Sequence, residues 1–257
     1  KDSQLTGVEL DSISGRIARK LYPNADIKIT GYENTKFADN SFDVAVGNVP
    51  FGDYSLHDKR YDKDHLLIHD YFFVKTLDKI RPGGIVAFVT SKGTLDKANP
   101  AARRLMAERA DLLGAIRLPN TAFKANAGAS VTTDILFLQK KRDTPPEQLP
   151  AWTETGKNAD GMELNNYFLQ HPEMILGTMQ EVTTQYGKDT ACVPDPNVEL
   201  EDLLSAAVLH LGHENVFQSN TLIEDDVFQS NTQEPPAPET ADVFQSNTPI
   251  EELRPFS

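Results

Sequence analysis

The feature that most constrains the fold is an alternation, through the first 142 residues, of short apolar runs with segments of helical periodicity. The strand-like runs are residues 5–10, 27–29, 42–47, 85–89, 112–118 and 134–138. The helical segments are residues 12–22, with Ser12 as the candidate N-cap, 65–80 and 101–109. Continuous apolar strands between amphipathic helices are typical of a mostly parallel sheet with helices on both faces. The sequence therefore predicts an α/β fold, in which Pro82-Gly83-Gly84 ends the second helix.

The net charge changes sign near residue 142. Residues 1–142 hold 22 Lys and Arg against 17 Asp and Glu, a net charge of +5, whereas residues 143–257 hold 3 against 21, a net charge of −18. The overall charge of −13 therefore does not exclude a nucleic acid as the partner of the first part. We predict a core at 1–142, a small α+β appendage or connector at 143–210 with a helix near 199–210, and an acidic tail at 211–257.

The predicted tail contains a repeated hexapeptide. Val-Phe-Gln-Ser-Asn-Thr begins at Val216, Val227 and Val243, so that the starts are 11 and 16 residues apart. This spacing is too irregular for a solenoid. The acidic and proline-rich spacers between the copies favour disorder.

Composition narrows the class of protein further. No apolar run approaches the roughly 18 residues of a membrane-spanning helix, and the first residues do not resemble a signal peptide. The single cysteine, Cys192, excludes an internal disulfide framework and favours a reducing compartment. The scattered histidines show no spacing typical of a metal site, so we predict none.

The strand predicted at residues 42–47 leads directly into Asn48-Val49-Pro50-Phe51-Gly52. This segment resembles the Asp/Asn/Ser-Pro-Pro-Tyr/Phe motif that S-adenosylmethionine-dependent amino-methyltransferases carry at the end of the fourth strand of a Rossmann-like sheet. Over roughly residues 5–142 the chain resembles N6-adenine DNA methyltransferase domains of mobile-element proteins and of type I restriction modification subunits. The resemblance implies S-adenosylmethionine as cofactor, DNA as partner, a helicase-like region in the same longer chain, no membrane, and the cytoplasm of a bacterium or phage host.

The resemblance also implies a role for each residue of the motif. The side-chain oxygen of Asn48 and the backbone carbonyl of Val49 would accept hydrogen bonds from the adenine amine, whose lone pair is otherwise delocalised into the ring. Phe51 would stack on the base after it has left the duplex. Val49 departs from the family, in which proline is usual; it frees φ and adds an N–H. Pro50 still biases Val49 towards an extended conformation.

Four further residues match positions that contact cofactor or base in the family. Glu9, with Asp11 as the alternative, ends a strand where an acid binds ribose hydroxyls, although Asp11 also suits a helix cap. Glu33 matches residues that contact the cofactor's adenine. Phe123 matches an aromatic that sandwiches the flipped base, with core packing as the alternative. Four residues after the motif could contact phosphates, although a solvated charged face is the simpler interpretation: Lys59, Arg60, Lys63 and His65.

The family's glycine-rich motif would precede residue 5. We therefore expect this chain to lack it, to hold S-adenosylmethionine poorly and to be inactive alone. Two other functions stay open. Protein glutamine and ribosomal RNA methyltransferases use an Asn-Pro-Pro-Tyr motif on other planar amines, and the fold can also serve as a non-catalytic DNA-binding module of a larger helicase-like protein.

Overall fold

The computed structural model describes residues 3–124, 130–141, 148–184 and 187–214. All of them lie in one compact unit, Lys1–Ser219. The three hexapeptide repeats, and the domain boundary predicted at residue 142, fall outside the described residues. Among the residues described, no helix has the length and apolar character needed to cross a membrane.

The chain begins with a parallel strand pair joined by a helix. Strand β1 (Thr6–Glu9) pairs in parallel with β2 (Asp26–Ile29) through α1 (Ser12–Leu21). The N-cap of α1 is Asp11, not Ser12 as predicted, because the Asp11 carboxylate accepts the N–H groups of Ile13 and Ser14 at 3.1 and 2.7 Å. Both N–H groups donate to the same oxygen, Oδ1, and Asp and Ser are equally favoured as N-caps, so the position of the first turn decides between them.

A four-stranded mixed sheet carries the rest of the first half. Its strands are β3 (Phe42–Asn48), β4 (Ile80–Ser91), β5 (Ala110–Leu118) and β6 (Thr133–Lys140), in the order β3-β4-β6-β5. β3 and β4 are parallel, whereas β6 runs antiparallel to both β4 and β5. The predicted α/β fold is confirmed, and β3, β4 and β5 run in the same direction, but β6 runs opposite to them and lies between β4 and β5.

Helices pack against this sheet and enclose the main core. They are α2 (Ile68–Lys79), α3 (Gly93–Asp96) and α4 (Ala101–Ala107), with α2 against β4 and α4 against β5. α2 ends at Lys79 and β4 starts at the next residue, so Pro82-Gly83-Gly84 lies inside β4 and does not end the helix. Fully buried apolar side chains from these elements form the centre of the core: Phe73, Val74, Leu77, Val86, Ile116, Leu136 and Leu138.

The segment after residue 148 packs back onto the sheet. It contains β7 (Thr155–Lys157), β8 (Glu163–Asn165), α5 (Asn166–Gln170), the hairpin β9 (Thr178–Thr184) and β10 (Gly187–Val193), and α6 (Leu200–Glu214). α6 lies on β5, where a Cβ at Gly114 would come within 2.1 Å of Leu211. Glycine at this position therefore lets the last helix approach the sheet.

Candidate methyl-transfer site

The motif residues lie at the end of β3, as the sequence predicted. Asn48 is the last residue of β3, is paired in register with Val89 of β4, and is exposed. Val49 is 4% exposed, and its N–H donates to the carbonyl of Val89 at 3.1 Å. The N–H that valine adds relative to proline is therefore used to extend the sheet. This bond fixes the backbone between Asn48 and Val49 while the Asn48 side chain remains open to solvent.

Two aromatic rings lie beside the Asn48 strand end. Phe51 is 37% exposed and Tyr54 is 53% exposed. A Cβ at Gly52 would lie 2.6 Å from the Tyr54 ring, so the ring packs directly on the glycine backbone. The Tyr54 carbonyl accepts the N–H of Ile68 at 2.8 Å and joins the loop to the start of α2. Tyr54 was missed in the sequence, although an aromatic two residues after Gly52 was the available signal.

A buried lysine joins the loop after the motif to the turn after β2. Lys75 Nζ donates to Asp58 at 2.9 Å and to the carbonyls of Tyr32 and Glu33 at 2.7 and 3.2 Å. Burial lowers the pKa of Lys75, and the Asp58 carboxylate opposes this. Burial raises the pKa of Asp58, but hydrogen bonds from Lys75 and from the Tyr71 hydroxyl outweigh it, and the net shift is downward. Lys75 therefore links the loop after the motif, which holds Asp58, to the turn after β2, which holds Glu33.

Arg60 is occupied by carboxylates. Its guanidinium lies 2.8 Å from Asp39 and 2.9 Å from Asp78, and Lys79 also contacts Asp39, at 2.5 Å. Arg60, followed by Lys79, lowers the pKa of Asp39 to about 2. These contacts give Arg60 a structural role in holding the loop. They favour a surface charge cluster over a phosphate contact for this residue. Lys59, Lys63 and His65 are exposed.

Glu9 and Asp11, the two acids predicted to bind the ribose hydroxyls of the cofactor, have different surroundings. Asp11 caps α1 with one oxygen, and the backbone hydrogen bond from Ser14, the largest cause, lowers its pKa. Glu9 is half-buried at the end of β1, where its Oε1 accepts the N–H of Asp11 at 2.8 Å. Within the described residues no hydrogen bond engages Glu9 Oε2. Glu9 therefore has a fixed side chain and a carboxylate oxygen that can accept from a ligand.

Glu33 lies on a single 3-10 turn, Tyr32–Asn34, that follows β2. Its Oε1 accepts the Asn34 side-chain amide at 2.7 Å. A Cβ at Gly31 would lie 2.1 Å from the same oxygen, so the carboxylate folds over the glycine. The ring of Tyr32 packs against Phe72, with centroids 4.8 Å apart, and fixes the turn on α2.

A cleft of about 420 Å³ separates β1 from β3. Among the described residues neither strand pairs across it, since β1 pairs only with β2, and β3 only with β4. Val44 and Val46, on one face of β3, are 56% and 77% exposed. The residues lining the cleft include Gln4, Leu5, Thr6, Gly7 and Val8 on one side, and Val44, Ala45, Val46, Gly47, Asn48 and Val49 on the other.

Phe123 lies at the same end of the sheet as Asn48 but on a distant strand. It follows β5, whose last residue Leu118 is opposite Thr133, which in turn is opposite Ser91 of β4. Three strand spacings, roughly 14 Å, therefore separate the ends of β3 and β5. Phe123 is partly buried and packs against the main core. Phe51 follows Asn48 by three residues in the chain, whereas Phe123 lies on the loop after a strand three positions away in the sheet.

Comparison with known proteins shows the family to which this chain belongs. Residues 19–190 match the model of the N-6 DNA Methylase family. Over 152 residues the chain is 34% identical to the Defense against restriction protein B of Escherichia phage P1. This alignment covers 57% of this chain and 7% of the phage protein. The chain thus spans less than a tenth of the length of this curated relative.

Solved structures give weaker likenesses. A modification subunit assigned to a type I restriction enzyme from Vibrio vulnificus is 15% identical, with a TM-score of 0.48, over 79% of this chain and 50% of that one. A class I S-adenosylmethionine-dependent methyltransferase from Listeria monocytogenes is 20% identical, with a TM-score of 0.47, over 58% of this chain and 48% of that one. The family model covers well over half of the 257 residues, and the chain therefore belongs to the N-6 DNA methylase family.

Proposed function

We propose that this chain carries the amine-binding part of a DNA adenine-N6 methyltransferase, centred on Asn48, Val49, Pro50 and Phe51. The observation that carries the proposal is the exposed Asn48 side chain at the end of β3, next to a backbone fixed by the Val49–Val89 hydrogen bond. A side-chain acceptor and a backbone acceptor one residue apart suit the two N–H groups of a planar amine.

The residues act on the adenine through hydrogen bonding and stacking. Asn48 Oδ1 and the Val49 carbonyl accept hydrogen bonds from the two amine N–H groups, which draws the nitrogen lone pair out of conjugation with the ring. Phe51, with an exposed ring, stacks on the base and contributes roughly 1–3 kcal/mol. The base must first leave the duplex, because its amine is paired there. Tyr54 offers a second exposed ring to receive it.

The methyl donor of the family is S-adenosylmethionine, which when bound supplies an electrophilic methyl group. The residues present fit one side of this cofactor. Glu9 offers a carboxylate oxygen at the end of β1, where the ribose hydroxyls would donate to it. Glu33 sits on the turn after β2, and Lys75 holds that turn against the Asn48 loop. Asp11 is committed to capping α1, so we assign the ribose contact to Glu9.

The open cleft supports a two-part cofactor site. β1 and β3 each have an unpaired edge on it, and Val44 and Val46 leave an apolar face of β3 uncovered. We place the remaining cofactor contacts, including a glycine-rich turn, on a further strand that enters this cleft and pairs with these edges. On this proposal residues 1–257 alone transfer methyl groups poorly.

Labelled cofactor and DNA test the proposal. The protein is expressed with any coding sequence that precedes Lys1, and N6-methyladenine is measured by mass spectrometry. We expect Asn48→Ala to lose at least 100-fold of the transfer rate, a loss of about 2.7 kcal/mol or more in transition-state stabilisation. Asn48→Asp keeps an acceptor oxygen and should retain measurable transfer. Asn197→Ala, an exposed asparagine outside the site, is the control.

The same experiment separates the alternative functions. Transfer to a glutamine-containing peptide or to ribosomal RNA, with none to DNA, would move the substrate to another planar amine. DNA binding without transfer, unchanged by Asn48→Ala, would make the fold a non-catalytic module. Either result would overturn the proposed adenine chemistry.

A further inference from the structure

Two histidines and a glutamate converge on the side of the molecule where α6 is packed. His171 Nδ1 lies 3.3 Å from Glu173 Oε1, and His210 Nε2 lies 3.2 Å from the same oxygen. All three candidate donor atoms lie within 4.8 Å of one another. The sequence predicted no metal site, because His210 is far along the chain from the His171-Pro172-Glu173 segment. Only the packing of α6 brings the three residues together.

The spacing suits a tetrahedral cation. Zinc bonds to nitrogen and oxygen of about 2.0–2.1 Å place neighbouring donors of a tetrahedron roughly 3.3 Å apart. The two histidine–glutamate separations, 3.3 and 3.2 Å, match that value, and the third pair, the two histidine nitrogens, lies within 4.8 Å. Two imidazoles and one carboxylate form a donor set that zinc uses, and such a set leaves a fourth position for water.

Local structure holds the donors in place before any ion arrives. His171 is the C-cap that follows α5, and its N–H donates to the Tyr167 carbonyl at 2.8 Å. The His171 ring stacks on Tyr167, with centroids 4.7 Å apart. Pro172 then starts the 3-10 turn Pro172–Met174, which carries Glu173. The histidine side chains are 30% and 41% exposed, whereas the His210 Nε2 atom itself is buried.

A cavity adjoins the cluster. It has a volume of about 200 Å³, and His171 and His210 lie in its wall with Trp152, Gln170 and Leu112. This volume exceeds the space that one water molecule needs. It leaves room for a water molecule or small anion at the fourth position of the ion.

We propose that His171, Glu173 and His210 form a zinc site that fastens α6 to the rest of the compact unit. The ion joins the turn after α5 to the last described helix, which otherwise rests on β5 through contacts such as Leu211 on Gly114. The site is separate from the Asn48 residues and does not depend on the proposed methyl transfer. A simple hydrogen-bonded cluster, with Glu173 accepting from both imidazoles, is the competing explanation.

Zinc titration of the full 257-residue chain, purified without a polyhistidine tag, tests the proposal. Calorimetry should give one site per chain that is absent from His210→Gln and from Glu173→Gln. The melting temperature of the wild type should rise by about 5–10 °C when free zinc is 100-fold above Kd. Magnesium should give no such rise, because it prefers oxygen ligands. His57→Gln removes an exposed histidine elsewhere and should keep both signals.

The acidic chain can also bind zinc non-specifically through surface carboxylates. The variants therefore distinguish a specific zinc site from non-specific binding. Equal zinc binding by wild type, His210→Gln and Glu173→Gln would show adventitious binding and overturn the proposal. The same holds if wild type shows no saturable site. Metal-free circular dichroism and melting curves of each variant should match those of wild type. If His210→Gln disrupts α6, Glu173→Gln on the neighbouring turn gives the deciding comparison.

Discussion

Arg117 and Asp134 face each other across β5 and β6 as a two-point ion pair with no exposed surface. Nε and Nη2 of Arg117 lie 2.8 and 2.9 Å from the two carboxylate oxygens. Nη1 reaches Asp96 at 2.7 Å, and the Phe168 ring lies 4.2 Å from the guanidinium carbon. Burial disfavours the charge, but the two carboxylates raise the pKa of Arg117 and keep it ionised. The pair therefore connects the sheet, α3 and α5.

Removing one partner of this pair should destabilise the protein strongly. Arg117→Met leaves the Asp134 carboxylate buried without its partner, and we expect a loss of about 3–5 kcal/mol in the free energy of unfolding. Urea unfolding followed by circular dichroism measures the loss. The double variant Arg117→Met/Asp134→Leu should recover part of it, since the Asp134 charge is gone while Asp96 still lacks its arginine partner.

An exposed ion pair gives the matched control. Arg104 contacts Glu154 at 2.6 Å, with side chains 49% and 45% exposed. Arg104→Met should cost less than about 1 kcal/mol, because solvent screens such pairs. A similar small loss from Arg117→Met would contradict the role assigned to the buried pair.

The Phe51 ring should act on the substrate and leave the fold intact. Since Phe51 is 37% exposed, Phe51→Ala should cost less stability than truncating a fully buried phenylalanine, yet lose a stacking contribution of roughly 1–3 kcal/mol. In the methyl-transfer assay this corresponds to a roughly 5- to 150-fold fall in kcat/KM for DNA. Phe51→Tyr keeps the ring and should retain most activity. A larger loss from Tyr54→Ala than from Phe51→Ala would instead make Tyr54 the main stacking surface.

Local signals in the sequence predicted that Asn48 lies at the end of a strand. An apolar strand followed by Asn48 and Pro50 is a contiguous pattern, and the structure places Asn48 at the end of β3. The cap of α1 was assigned one residue late, because Ser12 and Asp11 both suit that position and only the geometry chooses. Boundaries of this kind depend on side-chain direction as well as residue type.

Relationships between distant residues could not be predicted in the same way. The Arg117–Asp134 pair depends on the register of β5 against β6, and β6 was expected to extend a mostly parallel sheet. The contact of Lys75 with Asp58 and the turn after β2 depends on how three loops meet α2. The His171 and His210 pair requires the packing of α6. In each case the sequence pattern is compatible with several strand registers or helix positions, and tertiary packing selects one of them.

His69 should make stability depend on pH near neutrality. It is 5% exposed in the first turn of α2, and burial lowers its pKa despite the opposing charge of Asp70; Lys97 lowers it further, and Asp53 opposes. The folded protein therefore binds fewer protons at His69 than the unfolded chain does, so acidification below about pH 6.5 favours unfolding.

Urea unfolding at pH 7, 6 and 5 measures this dependence. The free energy of unfolding should fall with pH in wild type and fall less steeply in His69→Gln. His57→Gln, which changes an exposed histidine, should keep the wild-type slope. Identical slopes in wild type and His69→Gln would show that His69 is not the responsible group.

Restoring the family's proline at position 49 should weaken the fold while keeping the chemical groups. The Val49 N–H donates to Val89, and proline would remove this donor. The lost bond costs about 1 kcal/mol, which proline's stiffening of the unfolded chain, worth about 0.4–1 kcal/mol at compatible sites, offsets only in part. Val49→Pro should therefore lower the free energy of unfolding slightly and leave Asn48→Ala the far more damaging change for methyl transfer. A more stable Val49→Pro variant would mean that the Val49–Val89 hydrogen bond contributes less stability than proline gains by restricting the unfolded chain.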